Sequence, residues 1–159
     1  MSSECFLDSD DTIPIDALLS YSKLFDSDVQ IIVSGVKGTL DVEQFLLGIT
    51  DYSICPALWG KLFRTGFLKS YMPILPRKLV MGEDMIANLV VGLEARKIAT
   101  ISEIQYNVTL DNAQSVMKTF KKTFDYELFF FDTLYKLFMS KCMAHVKIAS
   151  MQIAILKNL

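Results

Sequence analysis

Phe6-Leu7-Asp8-Ser9-Asp10-Asp11 decides how the chain is read. Two apolar residues run directly into three acids within four positions, the pattern of a buried strand ending at an acidic turn. Neighbouring carboxylates repel one another, so such a cluster is unfavourable unless a cation or a set of donors sits among them. Hard divalent ions such as Mg²⁺ or Mn²⁺ take oxygen ligands of this kind, commonly with phosphate completing the shell. The competing explanation is an Asp/Ser-rich turn that caps the next helix. The six residues alone do not separate the two.

The flanking sequence gives the turn an address. Cys5–Leu7 reads as a short buried strand, and Ile15 to position 25 has helical periodicity through Ile15, Leu18, Leu19 and Leu24. Val29–Val33 is a β-branched run, hence a central strand, with Ser34-Gly35 as its exit. Strand, acidic turn, helix and strand make an α/β crossover unit. In open α/β sheets the ligand crevice lies outside the carboxyl ends of the strands, where these acids fall.

Further along, Asp41 to Ile49 reads as a short helix capped by Thr39 or Asp41, with Val42, Phe45 and Leu46 on one face. Cys55 to Arg64 is a mixed apolar and basic stretch holding the only tryptophan, Trp59, beside Gly60. Packing is the first expectation for Trp59, because aromatic side chains mostly supply buried area; a pocket wall is the second. Pro73 and Pro76 keep the next segment extended. Gly82-Glu83-Asp84 precedes a helix expected over Met85–Lys97. That second acidic pair suits either the helix dipole or a general base. Ile98–Ile101 and Glu103–Val108 resemble short strands.

Composition bounds the rest. The 159 residues favour one domain with a real core, and 52% apolar content with a mean hydropathy of +0.34 argues against disorder. Net charge is −2, divided into −6 over residues 1–115 and +4 over residues 116–159. With no basic excess and no aromatic–basic interleaving, nucleic acid is not an expected partner. Cys5, Cys55 and Cys142 form no C-x-x-C pair and read as buried thiols of a reducing compartment. His145, the single histidine, excludes a histidine-based triad at the turn. No signal peptide is legible at Met1. Positions 124–138 and 143–156 read as a helical hairpin interrupted by Lys136, Lys141 and Lys147, too short and too charged to span a bilayer. Packing or oligomer contact is expected of 124–157, with a peripheral membrane contact as the alternative.

Two families share the acidic turn. Asp8-Ser9-Asp10-Asp11-Thr12 resembles the D-x-D-x-T motif of haloacid-dehalogenase-type phosphatases, with Ser34, Lys78 and Gly82-Glu83-Asp84 in the places of the later motifs. That resemblance implies Asp8 as nucleophile, Asp10 as acid/base and Mg²⁺ on the phosphoryl oxygens. A longer resemblance, over about residues 4–120, is to the later part of bacterial family-two glycosyltransferases of the GT-A fold. Phe6–Asp11 matches the D-x-D strand end, and Leu58-Trp59-Gly60-Lys61-Leu62-Phe63-Arg64 resembles the W-x-K-L-[YF]-R segment. Gly82-Glu83-Asp84 matches the E-D motif. Lys97–Ile101 with Ile104-Gln105-Tyr106-Asn107 resembles the strand pair ending in tyrosine, and Ser115-Val116-Met117 the S-[IV] that follows.

The resemblance implies an α/β, partial GT-A sheet with flanking helices over 1–120 and a helical extension over 121–159. It implies inverting sugar transfer from a nucleotide-sugar donor to a glycan or lipid-linked acceptor, in surface polysaccharide synthesis, in the cytoplasm or at the inner membrane surface. Asp10 would hold a divalent cation (Mg²⁺ or Mn²⁺), Asp8 would contact the donor ribose or the metal, and Asp84 would be the catalytic base. Trp59, Lys61 and Glu83 would make acceptor or loop contacts. Family members place a nucleotide-binding half before the D-x-D, and this sequence starts at that strand. The expectation is therefore a partial member, weak or inactive alone. A non-enzymatic helical module whose acids merely cap helices is the third reading.

Overall fold

The computed structural model describes residues 2–24, 26, 28–109 and 119–142. A four-stranded mixed sheet is flanked by helices on both faces. In chain order the elements are β1 (Ser3–Cys5), α1 (Ala17–Ser22), β2 (Ile31–Ser34), α2 (Val42–Asp51), β3 (Lys61–Arg64), α3 (Thr65–Tyr71), α4 (Glu83–Leu93), β4 (Ile98–Ile101) and α5 (Phe124–Cys142). The strand order is β1-β3-β2-β4, with β3 antiparallel to both neighbours and β2 parallel to β4.

β2 is central because its residues are apolar on both faces, as a doubly covered strand requires. Ile31 and Val33 enter the larger core with Phe63 of β3, Phe45 and Ile49 of α2, Ile86 to Val91 of α4, and Leu134 and Phe138 of α5. Ile32 faces the opposite side, where Ala17 and Tyr21 of α1 close a smaller cluster with Leu62 and Ile101. The expected helix from Ile15 shrinks to Ala17–Ser22.

Several expectations shift. The buried strand expected at Cys5–Leu7 is instead an edge strand at Ser3–Cys5, and Leu7 is half exposed. Only Phe6 turns inward, edge-on to Phe63. β1 and β2 are also not neighbours: β3, which periodicity did not reveal, lies between them. Four residues bounded by Lys61 and Arg64 do not look like a strand in sequence, yet Lys61 and Phe63 share the large-core side while Leu62 faces the other. Of the expected strand at Glu103–Val108 only a single antiparallel bridge remains, Asn107 to Thr12. Cys5 and Cys55 are exposed and free, not buried, since one lies on the edge strand and the other in the loop before β3.

The helix ends follow from local chemistry. Asp41 caps α2 in a reciprocal box with Gln44. α4 begins two residues earlier than expected, so Glu83 and Asp84 lie inside its first turn. It stops at Leu93, and the Gln30 carboxamide oxygen then receives the N–H groups of Arg96 and Lys97 as the chain turns into β4. α5 shares the main core, and Lys141 closes its far end on Glu94 at 2.8 Å. None of the described helices is long and apolar enough to cross a membrane. The expected helix over 143–156, His145, the Cys142 side chain and Ser115-Val116-Met117 lie outside the described residues.

Candidate functional site

β1, β2 and β4 run the same way, so their carboxyl ends share one edge of the sheet. Asp8–Asp11 follows β1 there, Ser34 ends β2 and Gly35 follows it, and Glu103 to Tyr106 follows β4. The antiparallel β3 starts at that edge, so the loop carrying Trp59 arrives beside them.

The acidic turn closes through the Asp11 N–H, which donates to the Asp8 carbonyl at 3.1 Å. The Tyr106 hydroxyl accepts the Asp8 N–H at 3.1 Å and donates to Asp11 Oδ2 at 2.7 Å. Asp11 Oδ1 accepts the Thr109 N–H at 2.6 Å, and the Thr109 hydroxyl donates to the Asp10 carbonyl. Paired N–H···O bonds between Thr12 and Asn107 complete the clasp. Asp11 is thus a structural acid, held by donors from the segment after β4. These acids do not cap α1, whose N-cap is Asp16 with no side-chain cap bond.

Asp8 differs from Asp11. A slight loss of hydration raises its carboxyl pKa, and the charges of Asp11, Asp84 and Asp10 push the same way. Burial also raises the Tyr106 phenol, with the Asp11 bond acting in the same direction, so the hydroxyl stays protonated and can donate.

Asp84 sits in the first turn of α4, and its Oδ2 accepts the Leu58 N–H at 3.0 Å. One helical turn on, the fully buried Asn88 donates to the carbonyls of Pro56 at 2.8 Å and Ala57 at 3.1 Å. Lys61 is 2% exposed and its ammonium donates to the carbonyls of Cys55 at 2.7 Å and Ala57 at 2.6 Å. Burial pulls its pKa down to about 8, against the opposing field of Cys55 and Asp84. Three inward side chains thereby satisfy the backbone polar groups of the loop at residues 55–58. Trp59 follows, and its ring stacks on Tyr106 at 4.5 Å between centroids and 13° between planes. Both rings line a cleft of about 210 Å³ with Ser34, Ile54, Lys61 and Ile104. Glu83 is partly buried; burial raises its carboxyl pKa, and its Oε2 has no hydrogen-bond partner among the described residues.

Asp84 is therefore tied to the loop at Leu58, and Trp59 of that loop is tied to the acidic turn through Tyr106. Lys61 points into its own loop. The Ser34 hydroxyl donates to the Gly60 carbonyl at 2.8 Å, and Lys78 is exposed. Sequence reasoning gave no role to Asp11, Tyr106, Thr109 or Asn88. Asn88 carried a usable signal, its i+4 spacing from Asp84 on a helix. Among the described residues no group of three or more His, Cys, Asp or Glu is placed to hold a metal ion. A cation at the turn would have Asp8 and Asp10 as protein ligands and would need ligand oxygens to complete its shell. Compared with family models, curated proteins and solved structures, the chain has no significant match.

Proposed function

We propose that this chain carries the cation-and-base portion of a sugar-transfer site, acting on a nucleotide-sugar donor and the hydroxyl of a glycan or lipid-linked acceptor, in the cytoplasm or at the inner membrane face. The observation that carries the reading is the run of contacts from the Asp84 carboxylate to the Leu58 N–H and, from the adjoining Trp59, through its stack on Tyr106 to the Asp8 N–H. It links a helix-borne carboxylate to an acidic turn at the carboxyl edge of the sheet, where α/β proteins bind ligands. Helix capping does not account for the turn, because Asp11 is held by Tyr106 and Thr109.

A divalent cation bound between Asp8, Asp10 and the donor diphosphate would neutralise charge on the departing nucleotide diphosphate. Asp84 supplies the base. Its Oδ2 is fixed by the Leu58 N–H, which orients the carboxylate and leaves Oδ1 to take the acceptor proton. As that proton moves to Asp84, the acceptor oxygen attacks the anomeric carbon from the face opposite the leaving group, and the configuration inverts. Trp59 and Tyr106 form an aromatic wall of the neighbouring cleft, and Tyr106 also holds the acidic turn through its hydroxyl. The phosphatase reading has less support, since the hydroxyl of Ser34 is engaged by Gly60.

Calorimetric titration with Mn²⁺ and a panel of nucleoside diphosphates tests the proposal. Binding of a nucleoside diphosphate that needs Mn²⁺ is the expected result. Turnover of a generic phosphate ester that is lost in Asp8→Asn, with no nucleoside diphosphate binding, would overturn it.

A further inference from the structure

We propose that Tyr106 is the positioning residue that ties the acidic turn to the helix bearing Asp84. Its hydroxyl sits between the Asp8 N–H and the Asp11 carboxylate, so it fixes the turn through one acceptor and one donor contact. Its ring lies flat on Trp59. Trp59 directly follows Leu58, whose N–H is held by Asp84, in the loop whose carbonyls are bonded by Lys61 and Asn88. Asp84 and Asp8 are thereby joined by a continuous series: carboxylate, backbone, stacked rings, phenol, backbone. Tyrosine suits the junction because it offers a ring face and a hydroxyl that both accepts and donates. Phenylalanine would keep the stack and lose both hydrogen bonds.

The functional meaning of this link rests on the transfer reading, in which base and donor-side acids must keep a fixed register; the link itself does not. Positioning of this kind matters because small displacements of reacting groups cost rate steeply.

Residue-resolved amide hydrogen exchange on the metal-free protein tests it. Asp84→Ala frees the Leu58 N–H, whose exchange should quicken about tenfold, and the Asp8 and Asp11 amides should quicken about threefold. In a Tyr106→Phe background Asp84→Ala should still free Leu58 and should add nothing at Asp8 or Asp11. If Asp84→Ala does not fold, Trp59→Leu removes the stack alone and should quicken Asp8 and Asp11 in the same way. Asp8 and Asp11 amides that ignore both substitutions would overturn the proposal, as would an equal response with Tyr106→Phe in place. Mn²⁺ affinity measured by electron paramagnetic resonance should fall about tenfold in Tyr106→Phe. Coupled exchange with no Mn²⁺ binding in any variant would overturn the transfer reading while supporting the link.

Discussion

Asp84 accepts the backbone N–H of Leu58 at 3.0 Å, joining the first turn of α4 to the loop that precedes β3. This bond has two consequences. It orients a carboxylate that would otherwise swing with the helix terminus, and it makes the position of Trp59 depend on α4.

Asn88 gives the first test of that dependence. Asn88→Ala leaves the Pro56 carbonyl without its donor, while Ala57 keeps Lys61. Leaving a buried acceptor unmatched costs about 1–3 kcal/mol, so urea unfolding should show a loss of that order. The Trp59 emission spectrum of the folded variant should shift to the red as the loop loosens.

Lys61 sets a pH dependence. Its pKa is about 8 in the folded protein against 10.5 when unperturbed, so the unfolded chain binds more protons between those values. Stability attributable to Lys61 should therefore be lowest below pH 8 and rise as pH climbs towards 10.5. Against Lys61→Met, the wild-type protein should gain roughly 1–3 kcal/mol over that window in chemical denaturation. A neutral amine still has donors for both carbonyls, so the loop survives the titration.

Asp8 behaves in the opposite sense to an ion-paired carboxylate. Its folded pKa is raised by the slight loss of hydration at this largely exposed position and by the charges of Asp11, Asp84 and Asp10, so ionising it opposes folding. Asp8→Asn should stabilise the protein at pH 7, by less than about 1 kcal/mol because the group is exposed. The advantage should vanish as pH falls through the raised pKa. Thermal melts at pH 7 and near pH 3.5 check both halves.

The start of α4 also leans on α5. The Tyr126 hydroxyl accepts the N–H groups of Val80 and Met81 and donates to the Met81 carbonyl at 2.9 Å. Gly82 has φ +84°, and a Cβ there would come within 2.6 Å of the Phe130 ring. Gly82→Ala should therefore cost about 2–3 kcal/mol through strain and overpacking together, read by denaturant unfolding. Tyr126→Phe should cost about 1–3 kcal/mol.

The sequence made the large features legible where periodicity and caps agreed. The β-branched run ending at Val33, the Asp41 cap of α2 and the acidic start of α4 all lie close to where pattern and chemistry put them. β3 escaped notice because a buried lysine opens it, and its burial depends on carbonyls that only the folded loop supplies. The edge position of β1 was hidden for a related reason: nothing local says that an antiparallel strand from residues 61–64 will come between it and β2. At the site, three of the candidate acids were legible as charges, but their division of labour was not. Asp11 becomes structural only through Tyr106 and Thr109, contacts across almost a hundred residues that no spacing rule encodes.

In the proposed site, Asp8 and Asp10 hold the cation that binds the donor, while Asp84 serves the acceptor. Emission from Trp59, which stacks on the residue that holds the turn, reads binding of that cation directly. Titration with Mn²⁺ in the presence of a nucleoside diphosphate should give a saturable change in the wild-type protein, weakened at least about tenfold by Asp10→Ala. A wild-type signal that does not respond to Mn²⁺ with any nucleoside diphosphate, or a response identical in Asp10→Ala, would contradict the account.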